Sequence, residues 1–178
     1  DDVSGMLAAR GVWTLMYFSH QNVWMLDGGI KKWKADGLEI ETKTNGFTPA
    51  TFDGVPNPEI LADFDHVRQN IGKSVLIDAR SKEEFNGMVI RGARHGHIPN
   101  AINIDYMTNI SDDGSIKDDK QLAELYKFPK DSPIITYCQG AYRAANSFLA
   151  LKKLGFTKVR VYLGSWGEWS NRTELPIE

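Results

Sequence analysis

A chain of 178 residues with 42% hydrophobic, 11% aromatic and 25% charged side chains can bury a core, which excludes a wholly disordered segment. Its 21 basic and 23 acidic residues leave a formal net charge of −2, so no uniform basic field is available for nucleic acid, although a local patch is allowed. The apolar runs fall far short of the roughly 20 residues that cross a bilayer, and a single cysteine excludes an internal disulfide or a multi-cysteine metal centre. No membrane, nucleic-acid, metal or cofactor role is expected. No signal peptide is visible, which makes the cytoplasm the default location.

Apolar residues at helical spacing predict a helix over Ala8–Phe18. A short buried strand, Asn22–Leu26, follows, then a Gly turn and a short amphipathic helix ending in Trp33. Thr42–Pro58 is rich in Thr, Pro, Gly and Asn and reads as a linker. Beyond it, Glu59–Gln69 has helical period and Val75–Asp78 reads as a buried strand. Ser81–Phe85 begins a short helix, with Ser81 as N-cap and Glu84 three residues on. Ala101–Ile104 is a strand, Asp118–Tyr126 a helix, and Pro133–Tyr137 an apolar strand running into Cys138. Ala144–Leu154 reads as a helix, Val159–Leu163 as a strand, and a last short helix ends in Trp169. The alternation implies an α/β fold, with a central, mainly parallel sheet flanked by helices on both faces.

The two ends of the chain resemble one another. At an offset of 136, Asp2–Trp33 falls on Cys138–Trp169 with identities at Ala8/Ala144, Ala9/Ala145, Val23/Val159, Gly28/Gly164 and Trp33/Trp169. Three regions follow: residues 1–41 as the C-terminal part of an incomplete domain, 42–58 as linker, and 59–178 as a complete domain. A companion segment before Asp1 is expected to complete the first. Asp2 falls opposite Cys138 and Leu7 opposite Arg143, so the first copy is expected to be scaffold alone.

Cys138 stands where a strand ends and a helix soon begins, the position at which open α/β sheets bind ligands. The segment Cys138-Gln139-Gly140-Ala141-Tyr142-Arg143 can turn backbone N–H groups inward, with the following helix adding its positive end and Arg143 a fixed charge. Such surroundings stabilise a thiolate. The competing interpretation is a buried structural cysteine closing a core strand.

The segment Cys138–Arg143 resembles the active-site loop of the rhodanese family of sulfurtransferases. Three further segments agree in order: Leu76-Ile77-Asp78-Ala79-Arg80; Gly96-His97-Ile98-Pro99-Asn100-Ala101-Ile102-Asn103, with Asn100 for the usual Gly; and Gly164-Ser165-Trp166-Gly167-Glu168-Trp169, similar to the ending of tandem-domain rhodaneses. Leu26-Asp27-Gly28-Gly29 and Trp33 resemble the corresponding end of the non-catalytic domain. The resemblance implies that Cys138 carries a sulfane sulfur as a persulfide, from a small-molecule donor to a thiophilic acceptor such as cyanide or a thiol. Gln139 to Arg143 would bind the anion, with thiosulfate favoured over 3-mercaptopyruvate. Where some members place a substrate-binding Arg this chain has Glu84, and Arg91 or Arg94 could supply the charge instead. Asp78 is expected to orient Arg80, His97 to hold the turn before Pro99, and Trp166 to wall off the persulfide from water. The alternatives are a rhodanese-like phosphatase, whose loop has seven residues from Cys to Arg rather than six, and a weak sulfur-carrier or binding module.

Overall fold

The computed structural model describes residues 1, 3–20 and 22–178. Five parallel strands form one sheet in the order β1-β5-β4-β2-β3, with β1 Leu61–Ala62, β2 Val75–Asp78, β3 Ala101–Asn103, β4 Ile134–Tyr137 and β5 Val159–Tyr162. The central strand β4 is buried along its whole length, which explains its mostly apolar run; the exception, Thr136, donates its hydroxyl to the Ala144 carbonyl at 3.1 Å. Successive side chains point to opposite faces. Ile77, Ile134 and Val161 therefore join one core, and Leu76, Ile135 and Tyr137 a second.

The first core is covered by α1 (Met6–Tyr17), α5 (Asp119–Leu125) and α6 (Tyr142–Lys153), and the second by α3 (Phe64–Asn70) and α7 (Ser165–Trp169). Two further short helices are α2 (Gly29–Ala35) and α4 (Lys82–Phe85). Ser81 accepts from the Glu84 N–H while the Glu84 carboxylate accepts from the Ser81 N–H, so the capping box expected at α4 is formed. Ala9 and Trp13 bury one face of α1 within the first core, alongside Ala145 and Phe148 of α6.

Two sequence expectations need correction. The helical period of 59–69 conceals a 3₁₀ turn at Pro58–Ile60 and the edge strand β1; the helix starts at Phe64, where Asp63 caps it by accepting from the His66 N–H at 2.8 Å. Asn22–Leu26 is not a strand. Among the described residues nothing pairs with it, and Trp24 is 81% exposed, so its apolar alternation has no sheet to join. The stretch 42–57 has no regular structure, yet it returns to the end of α1, where the Val55 N–H donates to the Phe18 carbonyl at 3.1 Å.

Candidate active site

From β2 the chain passes outward to β3, and from β4 it passes the other way to β5. The carboxyl ends of β2 and β4 therefore flank a crevice that no crossover covers, and Asp78 and Tyr137 lie side by side there. Asp78 is fully buried and takes three side-chain contacts from Arg80, the shortest at 2.6 Å. The Arg80 guanidinium also donates to the Gly96 carbonyl at 2.8 Å and lies 4.7 Å from the Trp166 ring centroid. A buried pair so fully hydrogen-bonded holds one arrangement, and here it ties β2 to the His97 segment. Asn100, standing for the usual Gly, takes a left-handed φ of 62°, which Asn tolerates.

The loop after β4 is shaped by α7. The Cys138 carbonyl accepts from Trp166 N–H and the Gln139 carbonyl from Gly167 N–H, both at 2.9 Å, and the Cys138 N–H donates to Ser165 Oγ at 3.2 Å. In a planar trans peptide the N–H points opposite to the carbonyl. Turning those two carbonyls toward α7 thus turns the N–H groups of Gln139 and Gly140 the other way. Ala141, buried at φ 66°, supplies the left-handed bend into α6. Among the described residues, no protein acceptor takes the N–H groups of Gln139, Gly140, Ala141, Tyr142, Arg143 or Ala144. Cys138 is 1% exposed at the start of this run of donors.

Arg143 donates to both oxygens of Glu84, at 2.5 and 3.0 Å, and the exposed Arg91 guanidinium reaches the same carboxylate at 3.3 Å. Burial opposes the charge on Glu84, but the bonds from Arg143 and from the Ser81 N–H outweigh it and hold the carboxyl below its ordinary range. Burial also works against Arg143, and its bonds to Glu84 together with the neighbouring Cys138 sulfur keep it firmly charged. The acid noted as a departure in the sequence is therefore the residue that grips the loop arginine. Gln139 donates from Nε2 to the Arg91 carbonyl at 3.1 Å, joining the rim loop to the cysteine loop.

One expectation fails here. Arg94 does not offer charge to the crevice, because its guanidinium donates to the carbonyls of Trp169, Ser170, Arg172 and Leu175 at 2.6–3.0 Å and clamps the C-terminal turn. The Trp166 ring packs in the second core over Arg80, and its backbone N–H meets the cysteine loop. His97 lies apart from Cys138, with Nδ1 3.0 Å from the Phe85 carbonyl and its ring stacked 3.6 Å from that of Phe85. Tyr142 is half exposed, its ring 5.5 Å from the Arg10 guanidinium of α1.

Sequence reasoning missed Ser165 and Gly167. The first carries the hydroxyl under the cysteine amide. The second has no room for a Cβ, which would sit 2.8 Å from the Gln139 carbonyl oxygen. The offset of 136 contained a signal for Ser165: it falls on Gly29, and both have positive φ, 54° and 64°.

Residues 63–172 match the model of the rhodanese-like domain, and the chain belongs to that family. It is 34% identical to the sulfur carrier protein TtuD of Thermus thermophilus, over 99% of this chain and 68% of that protein. It is 30% identical to a thiosulfate sulfurtransferase of Pseudomonas aeruginosa, over 100% of this chain and 68% of that protein. The chain thus spans about two thirds of the length of these relatives. Among solved structures, the anaerobic ergothioneine biosynthesis enzyme from Chlorobium limicola shares the fold, with a TM-score of 0.89 at 24% identity over 100% of this chain and 48% of that one.

Proposed function

We propose that this rhodanese-like chain is the catalytic part of a sulfurtransferase that carries a sulfane sulfur on Cys138. The run of N–H donors from Gln139 to Ala144, next to the only thiol, carries the proposal. Its relatives in Thermus thermophilus and Pseudomonas aeruginosa, named as a sulfur carrier and a thiosulfate sulfurtransferase, support it.

The Cys138 sulfur attacks the outer sulfur of a donor such as thiosulfate. A new S–S bond forms, the donor's S–S bond breaks, and sulfite leaves with the electron pair. No oxidant is needed, because the transferred sulfur keeps the formal state it had in the donor. The persulfide anion is then met by the loop N–H groups and by Arg143, donors fixed in place before charge arrives. A thiophile takes the outer sulfur, as cyanide does to give thiocyanate, and Cys138 is restored. Thiosulfate is the first donor to test and 3-mercaptopyruvate the second.

Excess thiosulfate should add the mass of one sulfur atom to the protein, and cyanide should remove it. Cys138→Ser should abolish both while the fold is retained, since the change is nearly isosteric and leaves the bond to Ser165 in place. A wild type that gains no mass from either donor yet hydrolyses an aryl phosphate would replace this assignment with the phosphatase.

A further inference from the structure

Glu84 has a consequence for the donor. Its carboxylate is 3% exposed, lies against the guanidiniums of Arg143 and Arg91, and is held by the Ser81 N–H at 3.1 Å. One buried carboxylate thus faces both guanidiniums and offsets part of their charge. A doubly charged donor meets far less net attraction than the two arginines alone would give. The rim loop adds an independent observation. Met88, Val89 and Ile90, the three residues before Arg91, are 73%, 41% and 61% exposed. An apolar run beside the rim cation suits a donor with an organic tail.

We infer that Glu84 is a specificity-determining residue, which lowers the positive charge of the crevice so that singly charged organic sulfane donors are preferred over thiosulfate. This rests on the sulfurtransferase assignment and narrows its substrate class. The chemistry is that of the same transfer. The Cys138 sulfur attacks the terminal sulfur of R–SO₂–S⁻ or R–S–S⁻, the donor's S–S bond breaks, and the sulfinate or thiolate departs with the electron pair. The thiol proton passes to the persulfide or to solvent, and one negative charge stands on each side of the equation.

The test compares benzenethiosulfonate, with one charge, and thiosulfate, with two, in the wild type and in Glu84→Gln. Coulomb energy scales with donor charge, so the factor by which a site charge alters KM for the dianion is the square of that for the monoanion. The wild type should have the higher kcat/KM with benzenethiosulfonate. Glu84→Gln, which keeps a hydrogen-bonding side chain at that position, should lower KM for thiosulfate on the order of tenfold and for benzenethiosulfonate about threefold, while any change in kcat from a loosened Arg143 should be common to both donors. Arg91→Ala, at an exposed position that folding tolerates, should raise the two KM values by the same unequal factors. Equal factors for both donors, a thiosulfate KM that worsens in Glu84→Gln, or a wild type that prefers thiosulfate would overturn the inference. Absence of any sulfur mass gain from either donor in the wild type would instead overturn the assignment on which it rests.

Discussion

The helices α1 and α6 share their length of 12 residues and begin 136 positions apart, and each starts from a left-handed residue, Gly5 at φ 72° and Ala141 at φ 66°. Their loops differ in what the N–H groups meet. Before α1, the Asp1 carboxylate accepts from the N–H groups of Val3 at 3.1 Å, Gly5 at 2.9 Å and Ala8 at 2.6 Å. The same offset carries those three onto Gln139, Ala141 and Ala144, whose N–H groups have no protein acceptor among the described residues. One loop geometry therefore grips an anion of its own in the first half and leaves its donors to an external anion in the second. On the proposed function, Asp1 occupies in the first loop the place that the negative oxygen or sulfur of a donor or persulfide would take in the second. The residue opposite Cys138, Asp2, lies outside the described residues. Leu7, opposite Arg143, is 49% exposed.

The comparison breaks most sharply at Arg143, the feature that the first loop lacks. Arg143→Ala should slow persulfide formation about 100-fold, the usual cost of losing one fixed donor to a developing charge, and should raise the donor KM. It should also destabilise the protein by about 2 kcal/mol, because Glu84 stays buried with only Arg91 beside it. Arg143→Lys should recover less than half of the logarithmic loss, since an ammonium cannot take both carboxylate oxygens in parallel. Stopped-flow loading with thiosulfate checks the rates and thermal melts check the stability. Wild-type rates in Arg143→Ala would move the anion site to Arg91.

A carboxylate placed in the second loop would make it resemble the first. Cys138→Asp should be more stable than Cys138→Ser by about 1 kcal/mol, a few degrees in Tm, because charge-assisted bonds to the loop N–H groups and Arg143 offset the burial of the carboxylate. It should also lose the stabilisation by sulfite or sulfate that Cys138→Ser retains. If the two variants melt together in the presence and absence of sulfate, the N–H groups are not an anion site.

Much of this arrangement was legible in the sequence, and for identifiable reasons. The strand β4, the capping box of α4 and the strand–turn–helix placement of Cys138 rest on local patterns, which short-range geometry enforces. What was misread depended on partners distant in sequence. The apolar alternation of Asn22–Leu26 looks like that of β5, but a strand is defined by its neighbours, and this segment has none among the described residues. Arg91 and Arg94 are three residues apart with the same chemistry, and only the C-terminal turn distinguishes them by absorbing the second. Glu84 was visible as an anomaly of charge; that it faces Arg143, 59 residues away, is a property of the fold. The first copy, expected to be scaffold alone, packs the Arg10 guanidinium 5.5 Å from the centroid of the Tyr142 ring at the rim of the cysteine loop, a contact sequence spacing does not reveal.

Removing the internal anion is the converse experiment. Asp1→Ala should cost about 1 kcal/mol, as loss of a carboxylate cap at a helix start does, and should fray the first turn of α1. Hydrogen exchange at Val3, Gly5 and Ala8 should accelerate in this variant while the N–H groups of β4 stay protected. Asp1→Asn should restore part of the protection, since its oxygen can still accept. Equal protection in Asp1→Ala and wild type would show that the carboxylate contributes nothing to the loop, and the likeness between the two cradles would be one of backbone shape alone.

The smallest effect near neutrality concerns pH. The folded protein holds the Glu84 carboxyl below its ordinary value of 4.5, so the native state binds its proton less readily than the unfolded chain. The sign follows. The pair with Arg143 contributes its full stability above the unfolded value and loses it as pH falls through the lower folded one. Arg143 adds no titration in that window, because its own shift is upward from an already basic value. Wild-type stability attributable to this pair should therefore be flat from pH 6 to pH 9 and decline in acid below about pH 4.5. Glu84→Gln, with no proton to bind there, should show a shallower acid decline, so that the gap between the two melting curves narrows as pH falls. The first loop offers the control: among the described residues Asp1 pairs with no arginine, and Asp1→Asn should leave the contrast between wild type and Glu84→Gln unchanged. A constant gap between wild type and Glu84→Gln from pH 7 to pH 3 would mean that the carboxylate charge does not stabilise the catalytic loop, and that Glu84 acts there through shape and hydrogen bonding alone.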